Sequence, residues 1–219
     1  MKPEAILKEV AAQTAQCTRC KLHHSRKNAV PGAGNPHADV LFIGEGPGFH
    51  ENEQGLPFVG AAGKFLDELL ADAHLQREDV FITNVVKCRP PGNRDPQPEE
   101  LEACKSYLDR QIAAVNPDVI VTLGRISMGY FINNGRISGI HGKPSWSNGR
   151  MIVPMYHPAA ALHQPSLRGI VKDDFSNLPG LVESAKEIRR NNPDLAMLSQ
   201  KDQDNDTPDD NMTEQLSLF

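Results

Sequence analysis

The sequence predicts an α/β protein, a three-layer α/β/α sandwich built around a central four-stranded parallel sheet. Four short apolar runs rich in β-branched residues are typical of buried strands: DVLFIG (39–44), DVFITNVV (79–86), DVIVTLG (118–124) and RMIVPMY (150–156). Helical patterns separate them, namely AAGKFLDELLADAHL (61–75), PEELEACKSYLDRQIAAV (98–115) and the short ISMGYFI (126–132). Strands that alternate with helices favour a parallel sheet covered on both faces, with one further helix expected before it and one after it.

Composition divides the 219 residues into a body and a tail. We predict one domain over residues 1–190, followed by a disordered acidic linker over 191–214, whose polar residues bury too little apolar surface to offset the entropy of ordering. Residues 191–219 hold seven acids and one base, so the net charge of −5 leaves the body nearly neutral, with 22 bases and 21 acids. A near-neutral body can still present a basic face to DNA.

The chain lacks the run of about 18 apolar residues that a membrane span requires. Its first segment, MKPEAILKEVAAQTAQ, forms an amphipathic pattern that is too polar for a signal peptide. These features predict a cytoplasmic protein without a membrane partner, and we expect it to be a monomer. In that compartment cysteines are expected to be metal ligands or thiols rather than disulfides.

Polar or glycine-rich loops follow all four predicted strands, where ligands of open α/β sheets bind. They are GEGPGFHENEQGLPFVG, Asn84 with KCRPPGNRD, Gly124-Arg125 and YHPAAALHQP. The glycines of GEGPG let the backbone approach a ligand closely, although the loop lacks the spacing of a dinucleotide fingerprint or a phosphate loop. Taken singly, Phe58 could fill the core, Asn84 could cap a turn and His157 could be structural. Their convergence on one rim favours a functional site.

The four cysteines form a second pattern. Cys17 and Cys20 make a C-x-x-C pair, and Cys88 and Cys104 are the other two. A buried, unligated thiol is the simplest explanation for any one of them. Together they favour a four-thiolate site, but iron–sulfur clusters and zinc both accept four thiolates, so spacing alone does not choose between them.

Several ordered motifs resemble those of the family 4 uracil-DNA glycosylases, the iron–sulfur branch of that superfamily. They are CTRC, GEGPGFHE, GLPFVGAAGKFL, TNVVKCRPP and YHPAA, within residues 10–178. The resemblance implies that Cys17, Cys20, Cys88 and Cys104 hold a 4Fe–4S cluster with a structural role. It further implies a monofunctional enzyme that hydrolyses the N-glycosidic bond of uracil in DNA and so initiates base excision repair.

The resemblance also assigns roles in substrate binding. A deoxyuridine flips out of the strand into the pocket. Phe58 stacks on the uracil, and Asn84 pairs with its polar edge and rejects cytosine, whose amino group faces the wrong partner. Glu51 is the candidate that excludes the methyl group of thymine.

For catalysis, the resemblance places His157 where it can donate a hydrogen bond to the charge that develops on uracil O2. Other families of uracil glycosylases place an Asp or Asn at the position that Gly46 holds here. The preceding residue, Glu45, is therefore the candidate that positions the attacking water or stabilises the sugar cation.

Two departures from the family pattern affect the expected DNA contacts. His141 stands where the family often has an arginine. After HPAAAL, His163-Gln164-Pro165 replaces the usual Arg-Asn-Pro in a loop that is expected to insert into DNA. Loss of an arginine removes a phosphate contact, and Arg168 is the candidate that compensates for it.

Other functions remain open from the sequence. A sister branch traps uracil-DNA covalently, but it carries a basic insertion after the second strand that KCRPPGNRDPQPEE lacks. A non-catalytic iron–sulfur protein that binds uracil-DNA is a second alternative, although Glu45, Phe58, Asn84 and His157 favour an enzyme. A nucleotide hydrolase with a zinc site is a third.

The last five residues, Gln215-Leu216-Ser217-Leu218-Phe219, resemble the short peptide with which bacterial DNA-processing proteins dock on the replication sliding clamp. This resemblance implies a clamp partner and a nucleoid-associated location in a bacterial cytoplasm. A tether increases the local concentration of the domain at replicated DNA. The alternative is an apolar segment that folds back on its own domain.

Overall fold

The structure is a computed structural model in which residues 1–195 are described. The docking peptide predicted at 215–219, and the predicted linker beyond Leu195, lie outside the described residues. No helix in the described part of the chain is both long and apolar enough to span a membrane.

The sheet of the described domain has six strands rather than the predicted four. They are β1 Ala33–Gly34, β2 Val40–Gly44, β3 Phe81–Asn84, β4 Val119–Leu123, β5 Ser145–Ser147 and β6 Arg150–Met155, in the order β1-β3-β2-β4-β6-β5. The central four, β3-β2-β4-β6, are parallel and coincide with the four predicted runs. The two edge strands are antiparallel and only two and three residues long, too short to leave an alternating pattern.

Helices connect the strands and cover the sheet. They are α1 Pro3–Gln16, α2 Phe49–Gln54, α3 Ala61–Asp72, α4 Pro98–Val115, α5 Arg125–Gly129, α6 Ile137–Ile140, α7 Pro158–His163, α8 Leu167–Ser176 and α9 Leu178–Asn191. The predicted helix at 98–115 has the observed bounds, while the one predicted at 61–75 ends three residues earlier. Pro179 lies in the first turn of α9, where a backbone N–H is not needed.

Successive residues of each central strand alternate between two hydrophobic clusters, one on each face of the sheet. Val40 and Phe42 of β2 pack against side chains from α3, α7, α8 and α9. Leu41 and Ile43 pack against α4 and α1 on the other face. The predicted α/β/α sandwich is therefore confirmed, and the carboxyl ends of the parallel strands meet at one edge.

Candidate active site

A cavity of about 520 Å³ opens at the carboxyl ends of β2, β3 and β6. Its wall is formed by the loop after β2, the segment before α3, the loop after β3 and the start of α7. The structure brings together seven of the residues that the sequence analysis selected: Glu45, Gly46, Glu51, Phe58, Asn84, His157 and His163. A pocket of this size suits a small planar ligand such as a nucleobase.

Phe58 and Asn84 pack closely over Gly44, the last residue of β2. A Cβ atom on Gly44 would lie 2.4 Å from Asn84 Oδ1 and 2.7 Å from Phe58 Cζ, so only glycine leaves room for both side chains. Phe58 has a φ of +51°, which is uncommon for a bulky residue and is often found at functional sites. The ring is 6% exposed and faces the pocket from a backbone that the neighbouring loops hold in place.

Asn84 ends β3 and is only 2% exposed. Its Oδ1 is buried and has no hydrogen-bond partner within residues 1–195. An unpaired buried acceptor costs about 1–3 kcal/mol, so a ligand that brings an N–H group to this oxygen gains affinity. The strand end thus presents a hydrogen-bond acceptor to the pocket.

His157 is the N-cap of α7, and its Nδ1 accepts a hydrogen bond of 3.1 Å from the backbone N–H of Ala159. That bond assigns the ring proton to Nε2. Burial lowers the pKa of His157 to about 4, against a weaker opposing effect of Glu51. The ring is therefore neutral at pH 7, and it stacks on Phe58 with 5.5 Å between centroids.

The buried carboxylate of Glu51 joins the two loops that carry the pocket wall. Oε1 accepts from the backbone N–H groups of Val59 and Gly60, each at 2.9 Å, and Oε2 accepts from Gly48 at 3.1 Å. Glu51 thus holds the two loops together through its carboxylate, an arrangement that we call the clasp and that the sequence did not indicate. Exclusion of the thymine methyl group by this residue stays a prediction.

Glu45 follows β2 at the pocket edge and is half-buried. Burial raises the pKa of its carboxyl, with a further contribution from Asp95 and an opposing one from Arg125. Asp95 also lines the pocket and pairs with Arg125 at 2.5 Å. Next to Glu45, a Cβ on Gly46 would lie 2.8 Å from Val86 Cγ2, so this position is closely packed.

Arg94 is a pocket residue that sequence reasoning missed. Its Nη1 and Nη2 donate to the two oxygens of the buried Glu100 at 2.8 and 2.7 Å. Glu100 lies in the first turn of α4, the helix that carries Cys104. The Gln97-x-x-Glu100 capping box at the start of that helix was the available signal, but a sequence pattern does not reveal which arginine pairs with the glutamate.

The residues predicted to contact DNA lie near the pocket in and after α7. His163 lines the cavity and Gln164 is exposed at the C-cap of α7. Arg168 pairs with Glu68 at 3.0 Å, and its guanidinium lies 4.6 Å from the centroid of Phe65. Arg168 thus already has an acidic neighbour, and its contact with DNA stays a prediction.

His141, which stands at the usual arginine position, is turned toward the protein. Its Nδ1 lies 2.8 Å from Asp174 Oδ2, and its ring is 4.9 Å from that of Tyr156. Burial raises the pKa of Asp174, while His141 opposes the shift. The pair connects α8 with the residue that precedes His157.

All four cysteines border one small cavity between α1, the loop after β3 and α4. The backbone N–H of Lys87 donates to Cys104 Sγ at 3.3 Å, and Arg26 Nη1 donates to Cys88 Sγ at 3.6 Å. Burial raises the pKa of Cys104 to about 11 and also raises that of Cys88. Within residues 1–195, no three side chains of the metal-ligating types converge closely enough to share a single ion.

Comparison with known proteins identifies the family. The family model for the uracil DNA glycosylase superfamily matches residues 31–177. The type-4 uracil-DNA glycosylase of Sulfurisphaera tokodaii is 46% identical over 190 residues, covering 82% of this chain and 86% of the relative. The type-4 enzymes of Archaeoglobus fulgidus and Thermotoga maritima are 46% and 43% identical, covering 78% and 82% of this chain and 91% and 96% of the relatives. This chain therefore belongs to the uracil DNA glycosylase superfamily and, within it, to the type-4 family.

Proposed function

We propose that this protein is a uracil-DNA glycosylase that excises uracil by hydrolysis of the N-glycosidic bond and so initiates repair of the base. The observation that carries the proposal is the meeting of three groups at one pocket: the Phe58 ring, the unpaired Oδ1 of Asn84 and the neutral imidazole of His157. The type-4 glycosylases that resemble the chain over most of its length support the same activity.

Binding follows from the groups that face the cavity. A deoxyuridine turned out of the strand places its base against the Phe58 ring. Asn84 Oδ1 accepts from uracil N3–H, and the amide nitrogen donates to O4. Cytosine has no N3–H and carries an amino group at C4, so both bonds are lost and buried polar groups stay unpaired.

Catalysis needs a donor for the negative charge that grows on the leaving base. When the C1′–N1 bond breaks, its electron pair stays with uracil, and the Nε2–H of His157 donates to uracil O2. A neutral imidazole in a buried site performs this task without prior protonation. We assign Glu45 to the water: the water oxygen bonds to C1′ and its proton passes to the carboxylate.

We propose that the four cysteines hold a 4Fe–4S cluster rather than zinc. They border one cavity and would supply the four thiolates that such a cluster takes as ligands. The N–H donors of Lys87 and Arg26 suit thiolates that carry negative charge. The cluster would supply a covalent cross-link between α1, the loop after β3 and α4, and no electron transfer.

The activity is tested by incubating the metal-loaded protein with a single-stranded oligonucleotide that carries one uracil, followed by alkali. A strand break at the uracil, and none at a cytosine in the matched oligonucleotide, is expected. Intact strands after alkali would overturn the proposal. A complex that survives denaturing electrophoresis would instead identify a covalent trap.

We also propose that residues 215–219 dock on a bacterial sliding clamp, from the pattern of Gln215 followed by Leu216, Leu218 and Phe219. A glutamine suits a polar subpocket and the apolar side chains act as anchors. Deletion of 215–219 should abolish binding to the purified clamp and leave excision from short oligonucleotides unchanged. Loss of excision or of stability on deletion would instead place the segment against the domain.

A further inference from the structure

Phe49 is an aromatic side chain that neither the core nor the proposed chemistry uses. It begins α2, and at 53% exposure it is the most exposed Phe, Tyr or Trp side chain within residues 1–195. Its two neighbours in sequence, Gly48 and His50, line the active-site cavity. A large apolar ring thus stands in solvent at the rim of the pocket, where it lacks the burial that normally accompanies such a residue.

Arg89 lies beside this ring. Its guanidinium carbon is 5.3 Å from the Phe49 ring centroid, and its Nε donates to Asn93 Oδ1 at 2.8 Å. Asn93 and Pro90 line the cavity, so the arginine borders the same rim. Arg89 has no acidic partner in the described part of the chain, whereas Arg168 on α8 is paired with Glu68. Its positive charge is therefore available to a ligand.

An exposed ring next to a cation without an acidic partner suits a single nucleic-acid strand, which offers a base to the ring and a phosphate to the cation. Bases stack on aromatic rings whatever their identity, and each such stack contributes about 1–3 kcal/mol. Arginine binds phosphate oxygens with strong, directional hydrogen bonds. We propose that Phe49 and Arg89 form a subsite for the nucleotide next to the flipped uridine, with Phe49 stacked on the neighbouring base and Arg89 on its phosphate.

This subsite rests on the proposed glycosylase function and adds a preference to it. A neighbouring base can stack on Phe49 only after it leaves its own stack, which is easy in a single strand and costly in a duplex. The enzyme is therefore expected to act faster on uracil in single-stranded DNA than in a duplex. The preference should depend on Phe49.

The test determines whether the effect of the Phe49 ring on the reaction depends on one neighbouring base. Wild type and Phe49→Ala are assayed on a single-stranded uracil oligonucleotide and on two versions in which the 5′ or the 3′ neighbour is an abasic tetrahydrofuran. Phe49→Ala should lower kcat/KM about 5- to 150-fold on the intact strand, the equivalent of one stack. Removal of one of the two neighbouring bases should lower kcat/KM of the wild type by a similar factor. The same removal should not lower kcat/KM of Phe49→Ala any further.

Matched variants separate stacking from packing. Phe49→Tyr should retain the wild-type rate, because it keeps a ring. Trp146→Ala removes another exposed aromatic, 37% exposed on β5 near the amino end of β6, and should leave all rates unchanged. Arg89→Gln should lower the slope of log kcat/KM against log salt concentration by about 0.7, the loss of one phosphate contact on a single strand.

The proposed subsite is rejected if Phe49→Ala has the wild-type kcat/KM. It is also rejected if the substitution lowers kcat/KM by the same factor on the intact strand and on the strands with an abasic neighbour. Failure of the proposed function is a different result, in which the wild type releases no uracil from any strand. The coupling can then still be measured as binding, by fluorescence anisotropy with oligonucleotides that carry the non-cleavable 2′-fluoro-2′-deoxyuridine. Independent effects of the ring and the base on that binding would also reject the subsite.

Discussion

The buried Nζ of Lys87 donates to the main-chain carbonyl oxygen of Asn84 at 2.7 Å, so the residue that presents an amide to the pocket is held from inside the core. The same Nζ donates to Thr83 Oγ1 at 2.8 Å and to Gln111 Oε1 at 2.6 Å. Through its backbone N–H, Lys87 also contacts Cys104. One residue thereby connects the end of β3, helix α4 and the cysteine cavity.

Lys87→Met should lower both stability and activity. Three buried acceptors lose their donor, and we expect a loss of about 2–4 kcal/mol in the free energy of unfolding. Displacement of the β3 end should lower kcat/KM for uracil excision by about tenfold or more. Urea denaturation and single-turnover assays measure the two effects.

The exposed Lys64 on α3 gives the matched control. Lys64→Met should change stability by no more than about 0.5 kcal/mol. Equal effects of the two substitutions would show that the buried network of Lys87 is not what stabilises the strand end.

Gly44→Ala should abolish most activity without unfolding the protein. The added methyl group overlaps Asn84 Oδ1 and Phe58 Cζ, and displacement of either group by about 1 Å can cost about 100-fold in rate. Gly180→Ala on α9, where an added Cβ would meet no atom within 4 Å beyond its chain neighbours and the backbone of its own helix, should keep full activity. A Gly44→Ala enzyme with wild-type kcat/KM would contradict the close packing of the pocket.

Glu51→Gln tests the clasp, the three backbone hydrogen bonds that the Glu51 carboxylate accepts, without changing the size of the side chain. The amide has the same size, so thymine should still be rejected, but its NH₂ group cannot accept the backbone bonds that one carboxylate oxygen accepts. We expect a loss of about 1–3 kcal/mol in stability and slower uracil excision. Glu53 lies on the same helix as Glu51 and forms an ion pair with Lys27, and the control substitution Glu53→Gln should have little effect. Wild-type stability and wild-type excision of uracil in Glu51→Gln would contradict the clasp.

The metal content tests the cysteine site. Purified protein should contain about four iron atoms and absorb visible light, and Cys88→Ser or Cys104→Ser should lose both. His24, exposed four residues after Cys20, does not line the cavity, so His24→Gln should retain the iron. Iron loss in that variant would point to three cysteines and a histidine, and stoichiometric zinc would reject the cluster.

The parts of the fold that could be predicted are those with a continuous physical signal. Central parallel strands are buried on both faces, so each gives an unbroken apolar run, and all four were found. The edge strands Ala33–Gly34 and Ser145–Ser147 are too short to carry a pattern. Pocket residues at strand ends were predictable because topology brings strand ends together.

The clasp of Glu51, by contrast, depends on two loops that meet only in the folded chain. Its partners Gly48 and Gly60 lie on opposite sides of it in sequence, and no spacing rule joins them. The same holds for Phe49 and Arg89, which belong to different loops and share a rim only after the sheet has formed.

His157 makes stability fall as the pH falls. Its pKa is about 4 in the folded protein and 6.5 without burial, so between these values the unfolded chain binds a proton that the folded chain does not. Stability from the neutral ring is complete above pH 6.5 and is lost as the pH falls toward 4, by roughly 3 kcal/mol in total.

From pH 7.5 to 5.5 the loss from this residue should be about 1.4 kcal/mol, measured by urea denaturation, and His157→Asn should lack that component. Over the same range the imidazole stays neutral. A plot of kcat for uracil excision against pH should therefore show no inflection near pH 6.5 that is present in the wild type and absent from His157→Asn. Such an inflection would mean that the protonated ring takes part in the reaction, because only an imidazole with an ordinary pKa titrates there. The assignment of the neutral His157 Nε2–H as the donor to uracil O2 would then be wrong.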